Sequence, residues 1–360
     1  MTRPACVVID RQAARANLAR VRKLVPHRKI MAIIKADAYG HGLLRMAEPL
    51  ADADAFGVAC LEEAQILREA GIEQPIVLLE GPFSETELPE IQKLRLETVI
   101  HQEEQVRMLE CLPPGRPIPV WIKVDTGMHR LGFAPGLIDI IWQRLSSCRS
   151  VVEPVRLITH LACSHERNHP FVLAQLECFN AVTRSITAER SIANSAAILA
   201  WPDTHADWIR PGLMLYGVSP FNDSTAIEEG FSPVMSLRSA LIAINFVRAG
   251  ETVGYDGSWV CPEDRRVGVV ALGYGDGYPR YAPSGTPVLV NGKRAVLIGR
   301  SSMDMLSIDL RGHPEAKIGD PVIFWGEDLP VEEIARWAGT IPYELLCGVA
   351  RLRARYLDRA

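Results

Sequence analysis

Over the first two-thirds of the chain, short β-type runs alternate with longer helical patterns, and the pattern occurs eight times in about 220 residues. The β-type runs are Ile30–Ile34, Ala55–Ala59, Pro75–Leu79, Thr98–Ile100, Pro119–Val124, Val155–His160, Arg190–Ala193 and Trp208–Ile209, the last being the shortest. Between them lie helical patterns such as Arg11–Leu24, Leu43–Ala51, Leu61–Ala70, Leu137–Ser146, Phe171–Ile186 and Ser195–Ala200. Eight such units predict an α/β fold in which a parallel sheet closes into an N-terminal (β/α)8 barrel. The rival is an open, doubly wound sheet. The absence of a GxGxxG after the first strand favours the barrel.

The rest of the chain reads differently. Phe221–Pro233 is polar and interrupted by Gly and Pro, as a linker would be. Beyond it, β-rich runs at Ser239–Val247, Arg266–Leu272, Pro287–Val290, Ala295–Ile298, Leu306–Leu310 and Val322–Trp325 are separated by turns. Asn291-Gly292 between two of them signals a hairpin. The expected division is a barrel over 10–230 and a mainly-β C-terminal domain over 231–360, joined by 1–9. With 39 Lys and Arg against 43 Asp and Glu, the chain lacks the basic excess expected of a nucleic-acid binder. No apolar run is long enough for a membrane span, and the N-terminus lacks the apolar stretch of a signal peptide, so a cytoplasmic location is expected. The eight cysteines are scattered with no CxxC pair, which predicts reduced thiols and no metal site.

Catalytic groups of a barrel collect where its strands end. Lys35 follows the first predicted strand, Lys123 and Asp125 end the fifth with Arg130 beyond, and His160 ends the sixth. Asn194 and Ser195 follow the seventh, and Arg210-Pro211-Gly212-Leu213 follows the eighth. Strand ends are polar in any case because loops are solvated, so each residue alone has an ordinary explanation. Lys35 leaves an apolar strand, where an amine that loses hydration becomes a better nucleophile and can form a Schiff base. It could equally be a lysine that snorkels to solvent. Ser195 could cap a helix, donate to an anion, or do both. The backbone at Gly212 and Leu213 could face the same anion, and Tyr39 could donate to it.

Several motifs then resemble the alanine racemase family, whose members use pyridoxal 5'-phosphate (PLP). They are Ala32–Gly42 (AIIKADAYGHG), Lys123–Gly132 (KVDTGMHRLG), Arg210-Pro211-Gly212, Val253-Gly254-Tyr255, Gly273–Tyr278 (GYGDGY), Gly299-Arg300 with Met303-Asp304, and Tyr343-Glu344. The resemblance spans essentially the whole chain and implies a barrel followed by a β-domain. It implies that Lys35 holds PLP and serves as base on one face of the substrate, with Tyr255 as base on the other. In this family that tyrosine comes from a partner subunit, so a homodimer with shared sites is implied. Tyr39, Ser195, Gly212, Leu213 and Tyr343 would hold the phosphate, with Asn194 alongside. Arg130 and Met303 would meet the substrate carboxylate, and Arg130 would also contact PLP. Lys123 would carry a carbamate that orients Arg130. Arg210 would face the pyridine nitrogen, His160 would bridge Arg210 to Tyr255, and Tyr274 and Arg300 would line the entrance.

The implied activity is interconversion of L- and D-alanine, with D-alanine supplied to peptidoglycan. The alternatives are a racemase of other amino acids such as serine, a decarboxylase on the same barrel, and a non-catalytic PLP carrier. Two departures stand out. Asp37 stands where asparagine is commoner, and Asp256 follows Tyr255 where glycine is usual, placing a carboxylate beside the expected base.

Overall fold

The computed structural model describes residues 3–358. The terminal residues 1–2 and 359–360 of the expected second domain lie outside the described residues. After β1 (Cys6–Asp10) and a helix over Arg11–Leu24 come the eight barrel strands. These are β2 (Lys29–Ile33), β3 (Ala55–Val58), β4 (Ile76–Leu78), β5 (Glu97–Ile100), β6 (Ile118–Lys123), β7 (Val151–Ile158), β8 (Arg190–Asn194) and β9 (Trp208–Arg210). They form a closed parallel barrel in chain order, with β2 paired to both β3 and β9. Parallel strands covered on both sides are apolar on both faces, which is why Ile30, Met31, Phe56, Trp121 and Leu157 are all buried. At the barrel's N-terminal end the buried Glu97 carboxylate accepts from Trp121 Nε1 at 2.8 Å and from Arg156 Nη1 at 2.9 Å.

The sequence pattern placed the start of β7 at Val155, whereas the strand begins at Val151. The register against β6 slips between Pro119↔Val152 and Trp121↔Arg156. That irregularity accommodates Pro154, which cannot donate to a regular ladder.

The second sheet is built from β10 (Met235–Val247), β13 (Arg265–Val270), β14 (Pro287–Val290), β15 (Lys293–Ile298), β16 (Leu306–Asp309), β17 (Pro321–Trp325) and β18 (Ala354–Leu357). A separate short ribbon pairs β11 (Thr252–Val253) with β12 (Trp259–Val260). The sheet order is β13-β16-β15-β14-β17-β10-β1-β18. The turn between β14 and β15 is the expected Asn291-Gly292, both at positive φ (49° and 78°), as a tight hairpin turn requires. β1 was not expected as a strand. It lies between β10 and β18, so the chain's first strand helps build its last sheet. No helix among the described residues is long and apolar enough to cross a membrane.

Phe221–Pro233 is not a free tether. Phe221 and Phe231 are buried, with the Arg167 guanidinium 3.6 Å from the Phe221 ring centre and that of Arg20 5.2 Å from the Phe231 ring centre. Asn17 on the first helix donates to Leu215 O and Ser232 O and accepts from Ser232 N. Polarity concealed two aromatic anchors. Gly217 sits at the entry to this segment at φ 65°, where a Cβ would lie 1.8 Å from Ser232 O. Gly217→Ala is therefore expected to destabilise the protein by more than about 2 kcal/mol. Thermal unfolding checks this, and an unchanged midpoint would contradict the packing described.

Candidate active site

Every ionisable rim residue picked from the sequence stands at the C-terminal end of the barrel. Lys123 closes β6, Asn194 closes β8 and Arg210 closes β9, while Lys35 and His160 lie two residues beyond β2 and β7. The same rule finds a residue that sequence reading passed over. Glu80 follows β4, and its Oε1 lies 3.9 Å from Lys35 Nζ.

The backbone after Lys35 is unusual. Ala36, Asp37, Ala38 and Tyr39 all have φ between 52° and 55°, forming one turn of left-handed helix. L-residues there cost roughly 1–2 kcal/mol each. The turn is held by Ala38 N to Ile34 O at 2.8 Å, by Gly42 N to Asp37 O at 3.0 Å, and by Leu43 N to Asp37 Oδ1 at 2.6 Å. An asparagine oxygen would accept the last bond equally well, so Asp37 does the structural work of the commoner residue. Gly40 continues the left-handed course where a Cβ would strike Leu346 O at 2.4 Å. The helix Pro342–Gly348 of the second domain thus packs directly on the turn and brings Tyr343 against Tyr39, ring centres 5.6 Å apart.

The centre of the rim is crowded with positive charge. Burial, then Arg210, Arg130 and Lys35, pull the Lys123 ammonium down to about 8, against a weaker opposing pull from Glu80. Burial, then the cations Arg210, Lys123, Arg130 and Lys35, hold His160 well below its ordinary value, so its imidazole is neutral. Burial lowers Arg210 to about 10, which leaves it charged at neutral pH. Its guanidinium donates to Thr159 O at 2.6 Å, Ser191 Oγ at 2.7 Å and Ile192 O at 3.2 Å, with His160 Nδ1 at 3.4 Å. Lys35 differs from expectation. Its side chain is 38% exposed, and the dehydration expected of it falls on Lys123 instead.

Arg130 makes no hydrogen bond or ion pair among the described residues. The loop that carries it is fixed by Asp125, whose carboxylate accepts from Gly127 N and His129 N at 3.0 Å and pairs with His129 Nδ1 at 2.9 Å. A free guanidinium on a fixed loop beside three other cations calls for an anionic ligand.

A second group of donors lies next to β8 and β9. Asn194, not Ser195, is the helix cap, with its Oδ1 accepting from Ala197 N and Ser164 Oγ at 3.0 Å each. That leaves the Ser195 hydroxyl to accept from Gly212 N at 2.9 Å, with its own proton available to donate. A Cβ at Gly212 would lie 2.8 Å from the Tyr39 hydroxyl oxygen, so only glycine leaves the space in front of that phenol open. The hydroxyls of Tyr39 and Tyr343 take no hydrogen-bond partner among the described residues. Beside these groups lies a cavity of about 420 Å³, lined by His160, Ser195, Leu213 and Tyr343 among others. A wider groove of about 820 Å³ opens elsewhere, between Arg68, Arg95 and Arg116 near the N-terminal ends of β5 and β6, and contains none of the candidate residues.

The remaining candidates form a separate cluster on the second domain. Tyr255 is 62% exposed and Met303 55% exposed. Tyr274 N donates to Ser302 O, Gly275 N donates to Met303 O, and Arg300 pairs with Asp256. The charge expected to burden Tyr255 thus has its own counter-ion. No hydrogen bond, ion pair or ring contact joins Tyr255, Tyr274, Arg300 or Met303 to the barrel rim among the described residues. Within one chain the two groups of candidate residues make no such contact with each other.

The family model of the alanine racemase N-terminal domain matches residues 9–220, and that of the C-terminal domain matches residues 234–356. A biosynthetic alanine racemase of Escherichia coli O6:H1 is 51% identical over 356 residues, covering 98% of this chain and 99% of that protein. An alanine racemase of Nitrosococcus oceani is 53% identical over 342 residues, covering 95% of this chain and 96% of that protein. The crystal structure of the biosynthetic alanine racemase of Pseudomonas aeruginosa superposes with a TM-score of 0.97 at 47% identity, covering 99% of this chain and all of that one (100%). A solved alanine racemase of Bartonella henselae, 28% identical with a TM-score of 0.88 over 98% of this chain and 99% of that one, carries covalently bound pyridoxal phosphate. With both halves matched and half its residues shared with full-length relatives, the chain belongs to the alanine racemase family.

Proposed function

We infer that this protein is a PLP-dependent alanine racemase that interconverts L- and D-alanine with one base on each face of the substrate. The observation that carries the reading is the rim's donor set. Unpartnered phenols at Tyr39 and Tyr343, the Ser195 hydroxyl proton and the Leu213 N–H, unbonded among the described residues, stand near Lys35 and a cluster of cations, while the Gly212 N–H is already given to Ser195 Oγ. Such neutral donors suit a phosphate, and a primary amine suits the aldehyde of the same molecule. The residues present therefore fit PLP, held through Lys35 with its phosphate at Tyr39, Ser195, Gly212, Leu213 and Tyr343. When bound, PLP supplies the electron withdrawal that makes the substrate α-proton acidic.

The chain's own groups do the rest. Lys35 takes or returns the α-proton on the face it occupies. A racemase needs a second base opposite, because removal and return on one face would only restore the starting enantiomer. Tyr255 is that base, and its exposure, with no hydrogen bond or ring contact to the rim among the described residues, supports its contribution by a second copy, together with Met303 at the substrate carboxylate. Arg130 meets the carboxylate. Arg210 stays charged at neutral pH with its guanidinium anchored on carbonyls, so it would face the pyridine nitrogen as a donor that keeps its own proton and would leave that nitrogen unprotonated. His160, neutral, accepts from Arg210 and holds that line toward the partner's tyrosine. Lys123 is drawn to its neutral form near pH 8. A neutral amine adds CO2 and loses a proton to give a carbamate, which would replace one of four clustered cations with an anion for Arg130.

Lys35→Ala should lose both racemisation and the absorbance band of covalently held PLP; retention of the band would contradict this placement. Tyr255→Phe should slow α-proton exchange from L-alanine by about 100-fold or more while PLP still binds. Mixing these two inactive variants should restore activity in hybrid dimers, and failure of hybrids to regain it would argue against a shared site. After equilibration with ¹³C-bicarbonate, a carbamate resonance should appear in the ¹³C NMR spectrum and vanish in Lys123→Gln; a spectrum without it would remove the carbamate.

A further inference from the structure

The left-handed turn between Lys35 and Tyr39 has one buried polar side chain built onto it. His41 is 1% exposed, and its Nδ1 lies 3.0 Å from Ala38 O and 2.9 Å from Tyr39 O. Both neighbours are acceptors, so Nδ1 carries the proton and Nε2 is bare. Nε2 is buried with no hydrogen-bond partner among the described residues. A buried orphan acceptor is a cost that apolar packing at the same position would avoid, so its presence calls for a compensating role. The ring also lies against Tyr216, centres 4.6 Å apart, and Tyr216 in turn lies 4.8 Å from Tyr39. The Tyr216 hydroxyl donates to Ile33 O at 2.9 Å, at the end of the strand that leads to Lys35.

We propose that His41 is a positioning residue for the cofactor: its Nδ1–H, shared between the Ala38 and Tyr39 carbonyls, holds the left-handed turn in which Lys35 and Tyr39 face one ligand. His41 touches neither the cofactor nor the substrate. It acts on the two carbonyls directly and on the Tyr39 ring through Tyr216. Burial outweighs the two backbone bonds and lowers its pKa to about 4, so the imidazole stays neutral where the enzyme works. The inference rests on the placement of PLP at Lys35 and Tyr39.

The test is titration of PLP into the apo forms of the wild type, His41→Phe, His41→Asn and Lys35→Ala, followed by the covalent absorbance band, with apo thermal midpoints in parallel. His41→Phe keeps a ring against Tyr216 but has no donor, and its Kd for PLP should rise about tenfold or more. His41→Asn keeps an N–H near the position of Nδ1 and should stay within about threefold of the wild type. Equal Kd values for wild type and His41→Phe, or equal losses in both His41 variants, would overturn the proposal. If His41→Phe does not fold, selective ¹⁵N-histidine NMR of the wild type decides. A His41 signal of the Nδ1-protonated tautomer is expected, and the Nε2-protonated tautomer would overturn it. A wild type that forms no band, or a Lys35→Ala that keeps it, would refute the cofactor placement itself, whatever the His41 variants do.

Discussion

The site depends on the seam where the barrel closes. β2 and β9, separated by most of the barrel's sequence, pair at Lys29↔Trp208 and Ile30↔Ile209, and Ile33 N continues the ladder to Pro211 O at 2.9 Å. That seam sets Lys35 on one side and Arg210 and Gly212 on the other. It also places the Tyr39 phenol in front of Gly212, where a side chain would block it. An open sheet of the same strands would leave the first and last at opposite edges, and the amine and the donors around Gly212 would not meet.

The second constraint is electrostatic. Arg210, Arg130 and Lys35 add to burial in depressing Lys123, and the same three with Lys123 add to burial in depressing His160, while Glu80 is the anion that opposes them at Lys123. Such a cluster is strained until anions join it. In the proposed site a phosphate, a phenolate and a substrate carboxylate would each lower the repulsion, and a carbamate on Lys123 would lower it further. The cations thus favour the same ligands that the neutral donors shape.

Much of this was legible in the sequence, because apolar strands ending in polar residues follow directly from barrel geometry. The alternation located all eight barrel strands, and the strand ends supplied Lys35, Lys123, His160, Asn194 and Arg210. Glu80 obeyed the same rule but was overlooked. Other features were not encoded locally. Cys6–Asp10 is a strand only because β10 and β18 flank it, and Phe221–Pro233 is ordered by distant Asn17, Arg20 and Arg167. The left-handed turn over Ala36–Tyr39 contains no glycine, so propensity argues against it, and its side-chain support comes from Asp37 within it and His41 downstream. The site's two halves could be united only through a family resemblance, since within one chain Tyr255 and Met303 stand apart from the rim.

The two-base account makes a direct claim about the product. Purified protein loaded with PLP should be incubated with pure L-alanine and the enantiomers separated by chiral chromatography over time. The account predicts growth of D-alanine toward an equal mixture, with the same end point reached from D-alanine. PLP-loaded protein that leaves L-alanine unchanged would contradict it.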